Sequence, residues 1–298
     1  MSVSIATSEE TAAPAPPRFA FLALFCGNVA LAFGPLLVRL ADIGPVAAGF
    51  WRLSLAVPLL MLLARWRGHG LSGISRSLWP VIALGGLFFA ADLASWHAGI
   101  MLTKVANATL FGNITSLLLP IWGIVVLRQR PGRLQGIAIA LAVAGTALLM
   151  GNSYELSPRY LRGDLLCILA GVLYTGYILS IQRVRQVLDS WSLLAASTIA
   201  AAVPMLVFAW AAGETILPTD WTPVIVLALL SQVIGQGLVV YALAWFTPLI
   251  VGLTLLVQPL VGALIGWLAF GETLSLTDAV GACAIALALV LVRLPVRD

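Results

Sequence analysis

The 298-residue chain is 61% apolar and 9% charged, against about 45–50% and about 25% in ordinary soluble domains. A soluble fold of this length would lack polar surface to show to water, and the mean hydropathy of +1.05 belongs to no one segment. The net charge of +4 is scattered over short loops between apolar runs, with a single Lys at position 104, so nucleic-acid binding is excluded.

In chain order, the first 18 residues carry Glu9, Glu10 and the prolines 14, 16 and 17. This stretch reads as a disordered cytoplasmic tail. Windows of about 20 apolar residues, the length that crosses a hydrocarbon core of roughly 30 Å, then fall at 19–40, 46–64, 79–102, 106–127, 133–150, 163–182, 191–212, 221–245, 248–269 and 276–294. The fold class is therefore all-α integral membrane, with ten transmembrane helices. Only Thr103, Lys104 and Val105 separate the third and fourth.

Orientation follows from the cations. With the amino terminus inside, the inner loops hold Arg18, Arg65, Arg67, Arg76, Arg128, Arg130, Arg133, Arg183, Arg185, Arg293 and Arg297. The outer side holds Arg39, Lys104, Arg159 and Arg162, a bias of about eleven to four that puts both termini in the cytoplasm.

The chain also repeats. Pro120, Ile121, Trp122 and Gly123 are echoed about 139 positions later by Pro259, Leu260, Val261 and Gly262. Two five-helix repeats, 19–150 and 163–294, make up one membrane domain. Five is odd, so the second copy is threaded in the opposite direction, and a pseudo-two-fold axis lies in the membrane plane.

Polar groups inside the spans are the functional candidates, because each is costly in hydrocarbon. At 1.5 Å per residue, Asp92 lies about 18 Å from the inner end of the third span and Arg52 about 9 Å from the outer end of the second. On a core of roughly 30 Å these depths nearly coincide, so the two are expected to pair directly or through polar neighbours. Such a pair either fastens two helices or couples transport to protons. Trp96 and His97 follow on the same span; His97 is read as pathway-lining, the alternative being a satisfied structural histidine. The fourth span carries Thr109, Asn113, Ser116 and Pro120 along one face. Gln232, Gln236 and Tyr241 lie on the eighth, and Gln258 and Pro259 on the ninth. The two prolines are expected helix breaks. Trp79 and Trp221 read as interfacial anchors, whereas Trp96, Trp122, Tyr174, Tyr177 and Tyr241 sit deeper, where rings either pack or meet a substrate.

With Arg52, Pro120, Pro259 and the Gly271-Glu272 pair, the chain resembles the drug/metabolite transporter superfamily, of the ten-helix EamA type. The first repeat departs from that pattern, reading Arg128, Gln129 and Arg130 where Gly-Glu is expected. Trp96 and His97 look like the branch that exports aromatic and other amino acids. The resemblance implies a secondary transporter of the cytoplasmic inner membrane working by alternating access, with spans three, four, eight and nine around one cavity. Its substrate would be a neutral amino acid. A lipid or nucleotide-sugar carrier of the same fold, or a membrane sensor that does not transport, are the alternatives.

Spans five and ten carry small residues (Gly136, Ala140, Gly145; Gly281, Ala284, Ala288) and read as peripheral packing helices, in contact with membrane lipids and suited to a monomer or a weak homodimer. No phosphate loop, metalloprotease spacing or nucleophile elbow occurs. No enzymatic activity, cofactor or metal is expected, and His69, in a basic loop, needs no role.

Overall fold

The computed structural model describes residues 17, 19–67, 70–103, 108, 111–151, 158, 160–270 and 275–293. The amino-terminal tail apart from Pro17, and Arg18, His69, Lys104, Thr109, Glu155, Gly271 and Glu272, lie outside the described residues.

Every regular element among the described residues is helical. In chain order the runs are α1 (Ala20–Leu40), α2 (Pro45–Arg67), α3 (Trp79–Leu102), α4 (Thr115–Val125), α5 (Arg133–Gly151), α6 (Leu161–Arg185), α7 (Ser190–Ala211) and α8 (Thr222–Ala242). They end with α9, made of Pro248–Leu255 and Val257–Phe270, and α10 (Leu276–Arg293). Seven runs among the described residues are long and apolar enough to cross a membrane: α1, α2, α3, α6, α7, α8 and the Pro248–Ile265 part of α9. The apolar stretches Thr115–Val125, Arg133–Leu148 and Ala279–Val292 are shorter. The fourth predicted span is thus only partly a described helix, with a turn at Asn113 and Ile114 before α4 begins.

The outward surface is apolar. Leu62, Val203, Leu268 and Val290 are each more than half exposed, tolerable where the solvent is hydrocarbon and the backbone is satisfied within helices. The interior holds the polar side chains: Asn28, Arg52, Asp92, His97, Gln232 and Gln236 are all buried.

The packing carries an internal symmetry. α3 lies against α6 and α7, and α8 lies against α1 and α2. α2 packs on α7, α4 on α9, and α5 on α10. Exchanging each helix for the one five places along maps this set of neighbours onto itself. The two halves therefore share one pattern of neighbours.

Two close approaches explain small residues at the joints. A Cβ on Gly27 would lie 2.9 Å from the carbonyl oxygen of Gly235, where α1 meets α8. One on Gly145 would lie 2.8 Å from that of Gly281, where α5 meets α10. The small-residue faces of α5 and α10 therefore meet each other within one chain.

The two expected breaks differ. α9 is interrupted at Leu256, three residues before Pro259, whose missing N–H cannot continue the ladder there. Pro120 does not end a helix: α4 runs through it. Its ring fills the space a side chain at Gly252 of α9 would take, and this contact holds the fourth helix against the ninth.

One end of the molecule is tied shut. Glu214 Oε2 accepts the backbone N–H of Ala47 at 2.8 Å, Gly44 N donates to Thr215 O at 3.1 Å, and Trp51 Nε1 donates to Ile216 O at 2.6 Å. Asp42 accepts from the hydroxyl and N–H of Thr219 and the N–H of Asp220. The Thr219 hydroxyl, then these N–H groups, hold its carboxyl below the usual carboxylate range. The α1–α2 and α7–α8 connections are fastened together.

Candidate functional site: a charged cavity between the repeats

A cavity of about 60 Å³ lies at the centre of the helices. This is room for a few waters and far smaller than the roughly 300 Å³ at which small-molecule pockets begin. The cavity as described is therefore narrower than a small-molecule cargo.

α2 contributes Arg52, which is 3% exposed. Its Nε donates to Gln232 Oε1 at 3.2 Å, and Gln232 Nε2 donates in turn to Thr198 Oγ1 at 2.9 Å. The guanidinium lies over the Phe89 ring, 5.8 Å from its centroid. Three helices, α2, α8 and α7, thus fix one cation, and an aromatic face from α3 supports it.

α3 contributes Asp92, 8% exposed, which lines the same cavity. The two charges act on each other electrostatically, yet among the described residues they form no ion pair, and Asp92 has no hydrogen-bond donor. The expected pairing is thus a facing arrangement across the cavity, with Arg52 Nε engaged by Gln232.

The polar walls are satisfied in pairs. Gln236 Nε2 donates to the Tyr177 hydroxyl at 3.2 Å, and the Tyr174 hydroxyl donates to Gln236 Oε1 at 3.4 Å. Tyr177 stacks on Phe89, with centroids 4.5 Å apart, and on Tyr174 at 5.8 Å. Gln258 Nε2 donates to Asn28 Oδ1 at 2.9 Å, joining α9 to α1, and Asn28 Nδ2 returns to Leu24 O at 2.8 Å. Asn113 also lines the cavity, from the turn before α4.

Trp96 closes one side. It lines the cavity one turn from Asp92, and its indole rests against Gly34 of α1 and Gly112. A Cβ on Gly112 would lie 2.8 Å from Trp96 Nε1, so only glycine leaves room for the ring in this position.

Of the residues singled out in the sequence, Arg52, Asp92, Trp96, Asn113, Tyr174, Gln236 and Gln258 line this one cavity, with Tyr177 and Gln232 immediately behind it. Three others lie elsewhere. His97 points toward α2, with Nδ1 2.8 Å from Pro45 O and the ring close over Gly49. The cause is helical geometry: consecutive residues point about 100° apart, so Trp96 and His97 cannot share a face. Trp122 lines a second space of about 370 Å³ with Gln129, Gln182, Arg183, Trp245 and Thr247, at the far ends of α4 and α6. Tyr241 lines neither space; its carbonyl oxygen accepts from Arg185 at 3.5 Å.

Three features were not read from the sequence. Phe89 and Leu31 line the cavity as apolar wall, and an apolar residue in an apolar span carries no signal. Gly112 was equally silent. The third is a π-helical stretch, Ala228–Gln236, inside α8, where the hydrogen bonds reach one residue farther than in an α-helix. It carries Gln232 and Gln236, while its repeat counterpart α3 is regular throughout. Among the described residues no group of three His, Cys, Asp or Glu could hold a metal ion.

The profile described as the EamA-like transporter family matches residues 18–151 and again 161–294. A protein of Archaeoglobus fulgidus described as an uncharacterized transporter is 25% identical over 251 residues, spanning 82% of this chain and 86% of its own. One protein of known crystal structure superposes with a TM-score of 0.78 at 17% identity, covering 93% of this chain and 97% of that one. That likeness concerns the fold.

Proposed function

Since the chain belongs to the EamA-like transporter family, within the drug/metabolite transporter superfamily, and is a membrane transporter, we propose that its cargo is a neutral amino acid, aromatic ones included, carried outward. The observation that carries this reading is the facing of Arg52 and Asp92 across one cavity with aromatic walls. A zwitterion presents a carboxylate and an ammonium a few ångströms apart. Arg52, already oriented by Gln232, offers two further guanidinium nitrogens to the carboxylate. Asp92 offers an unused acceptor to the ammonium. Phe89, Trp96 and Tyr174 give a face to an apolar or aromatic side chain. A phosphorylated cargo would call for several cations, and Arg52 is the one cation among the described lining residues.

The proposed architecture has ten spans in an inner membrane, as inverted repeats 19–150 and 163–294 with both termini cytoplasmic. The exchange symmetry of the helix contacts supports it. In this orientation the tied connections at Asp42 and Glu214 face outward. The 370 Å³ space beside Arg183 faces the cytoplasm, so cargo approaches from within. Rocking of the halves about the central cavity would then move access from one side to the other.

The test is counterflow in proteoliposomes. Vesicles loaded with unlabelled phenylalanine or leucine are expected to take up the labelled form transiently. Exchange of nucleotide sugars or lipids without amino-acid exchange would refute the reading and leave the fold untouched.

A further inference from the structure

The space of about 370 Å³ at the far ends of α4 and α6 exceeds the roughly 300 Å³ at which small-molecule pockets begin. α6 fixes one of its walls. Gln182 Nε2 donates to Phe246 O at 2.7 Å. Arg185 donates from Nε to Val240 O at 3.1 Å and from Nη1 to Leu188 O at 3.0 Å. These bonds hold the α8–α9 connection, which places Trp245, Phe246 and Thr247 in the wall.

The opposite wall is the end of α4. Arg128 has a φ of +53°, a left-handed conformation that glycine adopts more readily. Gln129 N then donates back to Gly123 O at 3.0 Å. The Gln129 side chain folds over Gly123, with Oε1 2.6 Å from where a Cβ would stand. The second repeat reads Gly271-Glu272 where this connection reads Arg128-Gln129. A neutral amide therefore lines the space where a carboxylate would repel anions, and none of the described lining residues is acidic.

Three positive ends border this space. Arg183 is exposed, and its side chain has no partner among the described residues. Trp245 Nε1 is buried and has no acceptor among them, a donor that calls for a partner. α9 begins at Pro248 with no side-chain cap on its first turn, and a bare helix start favours an anion. Trp122, Trp245 and Phe246 add aromatic faces.

We propose that this space is a second binding site, for a carboxylate that carries an aromatic or apolar group, with no requirement for an ammonium. The carboxylate lies between Arg183 and the start of α9, and the apolar group lies against Trp122 and Trp245. The role of the site in transport rests on the amino-acid reading above: cargo is received here by its carboxylate and ring, and the central cavity then reads its ammonium. One exposed cation holds an anion weakly, so the site fills at higher ligand concentrations than the central cavity does.

The experiment is ligand protection of a thiol at the mouth of the space. Gln186, which is exposed and lines it, is changed to Cys in the full-length chain lacking Cys26, Cys167 and Cys283. The rate of its reaction with N-ethylmaleimide is measured on purified protein in detergent. Phenylalanine and 3-phenylpropanoate are each expected to slow the reaction several-fold, and 2-phenylethylamine to leave it unchanged. Arg183→Gln should abolish the protection and Arg183→Lys retain part of it. Arg52→Gln, which strips the central cavity of its carboxylate partner, should leave protection by 3-phenylpropanoate intact. No slowing by either carboxylate would overturn the proposal, as would equal slowing by 2-phenylethylamine or protection that survives Arg183→Gln. Loss of protection in a folded Arg52→Gln would assign the effect to the central cavity and overturn it too. Should Arg52→Gln not fold, the exposed Arg183 variants decide. Phenylalanine counterflow without protection would sink the second site and spare the amino-acid reading. Protection by 3-phenylpropanoate without counterflow would do the reverse.

Discussion

Gln232 takes a hydrogen bond from Arg52 Nε at 3.2 Å with its oxygen and gives one to Thr198 Oγ1 at 2.9 Å with its nitrogen. One side chain on α8 thereby fixes the direction of the one described cation in the cavity and ties α2 to α7. Gln232→Leu keeps the volume and removes both bonds, leaving Arg52 and Thr198 short of partners in a buried setting. The expected cost is about 1–3 kcal/mol of stability, read as a lower melting temperature in detergent. Because the guanidinium is no longer aimed, KM for cargo should rise as well.

The facing of Arg52 and Asp92 makes their removals interdependent. Taking away either leaves a buried charge with no counterpart, a situation that commonly costs about 3–5 kcal/mol for a broken pair and less for one separated by a gap. Arg52→Gln and Asp92→Asn are each expected to lower the melting temperature, and the double variant to lower it by less than the two shifts combined. Strict additivity would mean that the two charges do not sense each other.

Trp96 rests against two glycines and faces the cargo position. Trp96→Ala should weaken aromatic substrates by about 0.5–1.5 kcal/mol and small aliphatic ones less, with Trp96→Phe in between. Competition against labelled phenylalanine and labelled alanine in the same vesicles measures the difference. An equal loss for both would assign the ring to packing alone.

The inverted arrangement sets which loops face outward. In a variant lacking Cys26, Cys167 and Cys283, a cysteine at Leu217, 68% exposed, should react with an impermeant maleimide on intact cells. A cysteine at Val187, 72% exposed, should react only after permeabilisation. The opposite pattern would invert the topology and turn the proposed exporter around.

The sequence made the helices readable where an apolar run was long enough to have no other solvent than lipid. Depth arithmetic was equally informative: counting residues from the ends of two spans brought Arg52 and Asp92 to one level, and both line one cavity. Direction around a helix was harder to read. Trp96 and His97 are neighbours in sequence and face different helices, and no spacing rule says which of two adjacent polar residues looks inward. The partners were harder still. That Gln232 would hold Arg52, or that Asn28 and Gln258 would bond across the repeats 230 positions apart, depends on how helices pack rather than on any local pattern. The π-helical stretch in α8 had no marker, since Gln232 and Gln236 at a spacing of four read as one face of an ordinary helix.

If one cavity reads both charges of a zwitterion, competition in counterflow will show it. Labelled phenylalanine is exchanged in the presence of unlabelled phenylalanine, of 3-phenylpropanoate, which lacks the ammonium, or of 2-phenylethylamine, which lacks the carboxylate. Each analogue leaves Asp92 or Arg52 facing empty space in the site, and a lost charged contact of about 1.5–3 kcal/mol corresponds to roughly tenfold or more in affinity. Phenylalanine alone is expected to compete well, with both analogues at least about tenfold weaker. If either analogue competed as well as phenylalanine, the cavity would not be reading that charge, and the account of Arg52 and Asp92 as a zwitterion site would be wrong.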